Sequence, residues 1–246
     1  MYSVLVTGIS GRMGQAVNAA VTGNDATCVG ATHDQGQELY PAISSCDVII
    51  DFSHHSFTPT LLAEAIKNKI PVVIGTTGHS DEERDLITAA AKEIPIVYAS
   101  NYSVGVNTLF WLTKKAASIL KESSDIEVVE MHHRHKIDAP SGTAKTLAEI
   151  LCEETGLSYE NDVAHGREGI VGARPHRQIG MHALRGGDVV GDHTVVFAAD
   201  GERVELSHKA SSRMTFANGS VRAALWLQGK EAGLYNMQDV LGFAEL

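Results

Sequence analysis

Cysteine is scarce, with 3 in 246 residues, at Cys28, Cys46 and Cys152. They stand far apart, and none has CxxC or zinc-finger spacing. That argues against a disulfide framework or a cysteine-built metal site, and it suits a reducing compartment. Long apolar runs are missing too. No stretch of about 18 apolar residues occurs, so no membrane span is expected. The opening Tyr2-Ser3-Val4-Leu5-Val6 follows no basic segment and leads into a glycine-rich turn. It reads as a first strand, where a signal peptide would begin with positive charge. A cytoplasmic protein is the expectation. Positive charge is the third shortage. Lys and Arg number 20 against 30 Asp and Glu, a formal net charge of −10. A general nucleic-acid binder needs a basic surface to neutralise phosphates, so that class is excluded. Internal repeats, low-complexity tracts and long charge runs are absent as well.

What is present is a globular composition, 43% hydrophobic and 20% charged, long enough for one or two domains. Against the acidic balance stand 12 histidines, and protonating all of them would carry −10 to +2. Many of the potential cations therefore titrate near neutral pH, and their clustering becomes informative.

The first hundred residues alternate between short apolar runs and helical periodicity. Strands are expected at 2–7, 26–32, 48–52, 71–74 and 94–98. A helix opens after Gly14, with Met13, Ala16, Val17, Ala20 and Val21 on one face. Thr58-Pro59 reads as N-cap and first-turn proline, and Ser80 with Glu83 as a capping box. Strands alternating with helices imply a parallel, doubly wound sheet. After about residue 104 the pattern changes. A helix is expected over 106–121, a strand over 125–131, and a helix from Ser141-Gly142-Thr143 to about 154. Residues 156–175 read as a loop. Strands at 177–184, 189–198 and 203–210, joined by Gly186-Gly187 and Asp200-Gly201, suggest an antiparallel sheet with one open face. That face suits burial against another subunit. A last helix over 218–229 points back to the first domain.

The turn Gly8-Ile9-Ser10-Gly11-Arg12-Met13-Gly14 follows the first strand and opens a helix. Glycines let the backbone approach a pyrophosphate, and the free amides of a helix N-terminus bind it. The spacing is GxxGxxG, a variant of the usual fingerprint. Asp34 ends the second strand, 20 residues past Gly14, where an acid hydrogen-bonds an adenosine ribose. The competing reading is an ordinary surface turn beside an unrelated acid. Gly75-Thr76-Thr77 and Ala99-Ser100-Asn101-Tyr102 follow the fourth and fifth strands, at the edge where such sheets bind ligands.

The most unusual stretch is His132-His133-Arg134-His135-Lys136. Five potential cations in a row repel one another, which depresses some of their pKa values toward those of working acids and bases. Pro140 then sets a turn that delivers Ser141-Gly142-Thr143 to a helix N-terminus, a ready carboxylate site. Basic side chains beside a helix N-terminus suit a small polyanion. The alternatives are a solvated basic loop and a histidine metal site. The metal reading is the weaker one, because adjacent residues of an extended chain point to opposite faces. No metal is expected.

These stretches, with Asn101-Tyr102-Ser103-Val104-Gly105-Val106-Asn107, the run from Glu130 to Ala144, and that from Ser207 to Gly219, closely resemble the dihydrodipicolinate (4-hydroxy-tetrahydrodipicolinate) reductase family of lysine biosynthesis. The resemblance spans nearly the whole chain, and the central run is its most specific part. It implies an α/β fold: a Rossmann-type parallel-sheet domain from residues 1–103 and 218–246, with an inserted α+β substrate domain, 104–217. The inserted sheet would be mixed, largely antiparallel and open. It implies a homotetramer built through the central sheets, and NADH or NADPH as cofactor. By position, Gly8, Ile9, Ser10, Gly11, Arg12, Met13, Asp34, Gly75, Thr76, Thr77, Ala99, Ser100, Asn101 and Tyr102 would contact the cofactor. His132 would be the general acid/base and Lys136 a proton donor. His133, Gly142 and Thr143 would bind the carboxylates of a small cyclic dicarboxylate. One position departs from many relatives, which carry a basic residue after the acid that ends the second strand. Here Gln35 follows Asp34, so NADH is expected to serve at least as well as NADPH. Two rival readings stay open, a reductase of another small carboxylic acid (such as an aspartate-dehydrogenase-like enzyme) and a non-enzymatic NAD(H) redox sensor.

Overall fold

The computed structural model describes residues 1–34, 36–40 and 42–243. The chain divides into two compact units. The first comprises Met1–Val104 and Arg213–Leu246, the second Gly105–Ser212.

The first unit contains β1 (Tyr2–Thr7), α1 (Arg12–Thr22), β2 (Thr27–His33), β3 (Val48–Asp51), α2 (Thr58–Asn68), β4 (Val72–Ile74), α3 (Asp81–Ala90) and β5 (Pro95–Tyr98). The second contributes α4 (Val104–Leu120, all but its first residue), β6 (Asp125–His132), α5 (Gly142–Thr155), α6 (Tyr159–Asp162), β7 (Val163–His165), β8 (Ile179–Arg185), β9 (Gly191–Ala199) and β10 (Glu202–Ala210). The chain returns to the first unit with α7 (Met214–Trp226), β11 (Gly233–Tyr235) and α8 (Met237–Leu241).

The first sheet has the order β11-β5-β4-β3-β1-β2, and every pairing is parallel. Period-2 alternation feeds a separate core on each face. Val4, Val6, Val48, Ile50, Val73 and Val97 point into one, closed by α1 and α7. Leu5, Ile49, Val72, Ile74 and Ile96 point into the other, closed by α2 and α3. Full burial of such a side chain contributes about 1.5–3 kcal/mol, so coverage of both faces explains the near-continuous apolar strands. The capping box at Ser80 and Glu83 forms as expected. The first turn of α2 sits one residue earlier than expected, with Phe57 as N-cap, because a 3-10 turn at His55–Phe57 leads straight into it.

The second sheet has the order β10-β9-β6-β8-β7. Asp200-Gly201 closes a two-residue hairpin between β9 and β10, with Ala199 opposite Glu202 and Gly201 at φ +84. Gly186-Gly187 does not close one. β8 runs parallel to β6, and β6 lies between β8 and β9. The backbone explains why: the Gly186 amide donates to His132 O and Gly187 O accepts from the Arg134 amide, so this turn is tied to the segment after β6. Two of the four pairings are thus parallel, and the sheet is mixed, with the β9–β10 and β6–β9 pairings antiparallel. The stretch read as a loop over 156–175 contains α6 and the edge strand β7. Helices α4 and α5 cover one face through Leu109, Phe110, Leu147 and Leu151 against Ile126, Val128, Met181 and Phe197. The other face of β6 stays half-buried, giving strict alternation along the strand.

Candidate active site

The chain crosses from β2 on one side of β1 to β3 on the other, and a cleft opens beyond the strand ends at that reversal. It measures about 700 Å³ and is lined by Gly8, Ser10, Gly11, Asp34, Phe52 and His54 among others. Gly8 has φ +70, and a Cβ there would lie 2.4 Å from Phe52 O, so only glycine fits. The amides of Gly8 and Ile9 donate to His33 O at 3.0 and 3.3 Å, which fixes the turn against β2. No side chain caps α1 at Gly11, so its opening amides remain for an anion. The Asp34 carboxylate accepts the Ser10 amide at 2.9 Å and stands at the cleft wall. Ile9 and Met13 pack against the core beside this turn, whereas Arg12 is exposed. This glycine cradle fits the pyrophosphate and ribose of a nicotinamide dinucleotide. Gln35 lies outside the described residues.

The two loops after β4 and β5 use most of their side chains internally. The buried Asp51 carboxylate accepts the hydroxyls of Thr7, of Ser53 at 2.5 Å and of Thr76 at 2.5 Å. Thr76 Oγ1 also accepts the Ser53 amide at 2.9 Å, so this residue braces the loop. Gly75 lies flat on the Phe52 ring, where a Cβ would come within 2.3 Å. Tyr102 is 1% exposed, and its hydroxyl sits 2.8 and 2.9 Å from the carbonyls of Ile74 and Val97. Its side chain is therefore a core element. Asn101 Oδ1 accepts the Ser103 amide at 2.8 Å, while Thr77 and Ser100 are exposed and Ala99 half-buried. His33 stacks on Phe57 at 4.9 Å at the same cleft, a pairing with no signal in the local sequence.

In the second unit, β6 ends in a buried polar cluster. Alternation along the strand puts Glu130 and His132 on the covered face. His132 Nδ1 lies 2.6 Å from Glu130 Oε2. Arg185 on β8 donates to both Glu130 oxygens, at 2.8 and 3.0 Å, and the Ser141 amide donates to Oε1 at 3.1 Å. Burial pushes the Glu130 carboxyl up, but hydrogen bonds from His132 and Arg185 and their charge outweigh it and hold it at about 2. His193, paired across from Glu130 on β9, sets its Nε2 2.9 Å from Ser141 Oγ. Its ring stands edge-on to that of His132 at 5.1 Å. Burial above all, and then the neighbouring His132, push His193 down to about 3. So the depression expected within the basic run falls strongly on a histidine outside it.

The rest of the run turns outward. His133 and Lys136 are half-buried, and Arg134 and His135 are exposed. Lys136 Nζ reaches both Asp138 oxygens at 2.9 Å. Burial raises the Asp138 carboxyl, but the Lys136 hydrogen bond and charge leave it below its ordinary value. Ser141 caps α5 by accepting the Ala144 amide at 3.2 Å, and Gly142 opens the helix exposed, with nothing within 4 Å of where a Cβ would stand. Glu130, Arg185 and His193 escaped the sequence reading as working parts. Only Glu130 carried a signal, its two-residue spacing from His132 on a strand. The open face of β6 holds a second ionic cluster, Glu127 with Arg167, Arg174 and His182 at 2.7–3.0 Å. Burial opposes these bonds, yet they hold the Glu127 carboxyl at about 2.

These shifts set the acid stability in two stages. His193 titrates at 6.5 unfolded and about 3 folded, so the unfolded chain takes up that proton first. Stability is full above 6.5 and falls by up to about 1.4 kcal/mol per pH unit below it. Glu127 and Glu130 stabilise the fold above their ordinary 4.5, and that contribution is lost as pH falls toward 2. Urea unfolding from pH 7 downward should show decline beginning near 6.5 and steepening below 4.5. His193→Gln should flatten the first stage, with a remnant from His79 and His208, which burial also lowers. A flat profile from 6.5 to 4.5 in the wild type would contradict this.

A parallel sheet with a glycine cradle at its reversal, in a chain whose second unit carries a buried histidine and, between it and the start of α5, a half-buried lysine, suits a nicotinamide-dependent oxidoreductase. Sequence profiles described as "Dihydrodipicolinate reductase, N-terminus" and "Dihydrodipicolinate reductase, C-terminus" match residues 2–102 and 105–241. The chain belongs to the dihydrodipicolinate reductase family. It is 72% identical over 246 residues, all of both chains, to 4-hydroxy-tetrahydrodipicolinate reductase of Akkermansia muciniphila. Among solved structures it is similar to a dipicolinate-bound dihydrodipicolinate reductase from Paenisporosarcina sp. TG-14, with TM-score 0.79, 23% identity and 97% and 98% of the two chains covered. An aspartate dehydrogenase from Thermotoga maritima shares the fold at TM-score 0.50 and 12% identity, covering 94% of this chain and 98% of that one.

Proposed function

We propose that the protein reduces 4-hydroxy-tetrahydrodipicolinate to tetrahydrodipicolinate in the diaminopimelate route of lysine biosynthesis, the 4-hydroxyl leaving as water and a hydride plus a proton adding to the conjugated ring that this leaves. The observation that carries this reading is local. One strand and the turn after it bring His132, Lys136 and the N-terminus of α5 into one short segment, in a chain 72% identical to a reductase of that name.

The first unit holds the cofactor. Residues 8–13 receive the pyrophosphate, Asp34 the adenosine ribose, and the loops at 75–77 and 99–102 the nicotinamide end. When bound, the nicotinamide supplies the hydride. The second unit holds the dicarboxylate. His133 and the Gly142 and Thr143 amides bind its carboxylates, where the dipole of α5 favours negative charge. His132 acts as general acid/base, and Lys136 donates a proton to the reduced ring and steadies its charge. The protein works in the cytoplasm, as a homotetramer joined through the open face of the second sheet.

NADH is used at least as well as NADPH. The Asp34 carboxylate at the cleft wall disfavours a 2′-phosphate, and the residue after it, Gln35, offers no positive charge to offset this. The ratio of kcat/KM for the two cofactors should be near or above one in favour of NADH, and Asp34→Ala should shift it toward NADPH. A strong NADPH preference in the wild type would sink this.

A coupled assay tests the activity. The product of the preceding pathway step is supplied, and loss of absorbance at the reduced-cofactor band is followed. Turnover with this substrate and none with oxaloacetate and ammonia separates the proposal from an aspartate-dehydrogenase-like enzyme. A redox sensor would bind NADH and consume none.

A further inference from the structure

The role of His132 in the reaction proposed above requires one particular ring nitrogen to be presented to the substrate. We infer that Glu130, clamped by Arg185, is a positioning residue that keeps the His132 proton on Nδ1 and leaves Nε2 to exchange a proton with the substrate. The inference rests on that functional reading but is carried by its own geometry.

Glu130 is fully buried, and both of its oxygens are occupied by donors. Oε2 meets His132 Nδ1 at 2.6 Å and Arg185 Nη1 at 2.8 Å; Oε1 takes the Ser141 amide at 3.1 Å and Arg185 Nη2 at 3.0 Å. An ionised carboxylate only accepts, so the contact with His132 forms only when Nδ1 carries a proton. Three lines of donation from three elements leave the carboxylate no alternative orientation. Arg185 is fixed in turn, because its guanidinium also donates to Leu184 O and Asp138 O, each at 2.6 Å. The fork cannot swing away and release Glu130 without losing both.

The opposite edge of the ring is kept clear. A Cβ at Gly191 would stand 3.0 Å from His132 Nε2, tighter than nine in ten real Cβ contacts, so glycine there leaves this edge room. The next histidine on that strand, His193, has its Nε2 engaged with Ser141 Oγ. So one nitrogen of His132 is tied down and the other has no hydrogen-bond partner among the described residues, the arrangement by which a buried acid orients a catalytic imidazole. The Ser141 amide extends the same frame to the cap of α5, so the acid that aims His132 also anchors the start of the proposed carboxylate site.

Two measurements test this. The first is histidine-selective nitrogen NMR of the wild-type protein, with the His132 signals assigned by their loss in His132→Gln. Neutral His132 should show a protonated Nδ1 and a bare Nε2. The second is Glu130→Gln, which keeps the shape but leaves Arg185 facing an amide. It should lower kcat roughly 10- to 100-fold, a part of what a general acid/base contributes, while the Kd for NADH stays within about twofold. A neutral His132 protonated on Nε2 would overturn the inference, as would a folded Glu130→Gln variant with wild-type kcat. If that variant does not fold, the wild-type tautomer decides alone. If the wild type shows no turnover with this substrate, the functional reading fails, and the tautomer still reports on Glu130.

Discussion

His132→Gln is expected to lower kcat by about 100- to 10,000-fold and to leave the Kd for NADH within about twofold. The split follows from where the residues sit. His132 ends β6 in the second unit, whereas the residues lining the dinucleotide cleft all belong to the first. Glutamine keeps a polar group of similar reach, so the Glu130 carboxylate is not left without a partner at that corner. What it loses is an imidazole nitrogen able both to give and to take a proton. Lys136→Ala should act in the same direction, because Nζ is half-buried and held in place, at 2.9 Å from Asp138. Removing it leaves Asp138 unneutralised beside a site for an anionic substrate, so substrate KM should rise as kcat falls. Near-native kcat in His132→Gln would remove the histidine from the chemistry.

The second large effect is expected at Gly14. A Cβ there would stand 2.0 Å from Gly8 O, 2.6 Å from Gly8 C and 2.8 Å from Ile9 Cα. All three are backbone atoms of the turn, so no side-chain rotation relieves the clash. Gly14→Ala must push α1 off the turn or the turn off β1, and overpacking of this kind costs about 1–3 kcal/mol or more. For a chain of this length that is a fall in Tm of roughly 2–4 °C per kcal/mol. Cofactor binding should suffer beyond stability, because the displaced residues Gly8 and Ser10 line the cleft. A rise of at least about tenfold in the Kd for NADH, or about 1.4 kcal/mol, is expected. Calorimetry and fluorescence titration check the two effects, and an unchanged Tm with unchanged Kd would contradict the close approach.

Much of this was legible because the informative contacts are local. The glycine spacing of the turn from Gly8 to Gly14, the capping box at Ser80 and the helix start at Ser141 are local signals that local rules read, although the contacts that hold Gly8 come from distant Phe52 and His33. The helical face of Ala16, Val17, Ala20 and Val21 carried the same kind of signal. The second sheet was harder. Gly186-Gly187 has the composition of a hairpin turn, but its hydrogen bonds run to His132 and Arg134, more than 50 positions back, and no local rule sees that. The pairing of Gly233–Tyr235 with β5 is equally long-range. The same limit hid Arg185 and His193. Each reaches the Glu130–His132 corner only through strand register, Arg185 opposite His132 on β8 and His193 opposite Glu130 on β9. Tyr102 shows the converse, since its place in a ligand-edge loop suggested a contact and its burial assigns the side chain to the core.

In the proposed reaction a hydride passes from the nicotinamide to the dicarboxylate ring, with the proton supplied from the side of His132 and Lys136. Isotope transfer tests it most directly. The enzyme is given NADH deuterated at the transferable position, together with freshly generated substrate, and the tetrahydrodipicolinate formed is analysed by mass spectrometry. One deuterium per product molecule is predicted, in step with cofactor oxidation and nearly abolished in His132→Gln. Cofactor oxidation with no label in the product, or full labelling at wild-type rate in His132→Gln, would contradict the account.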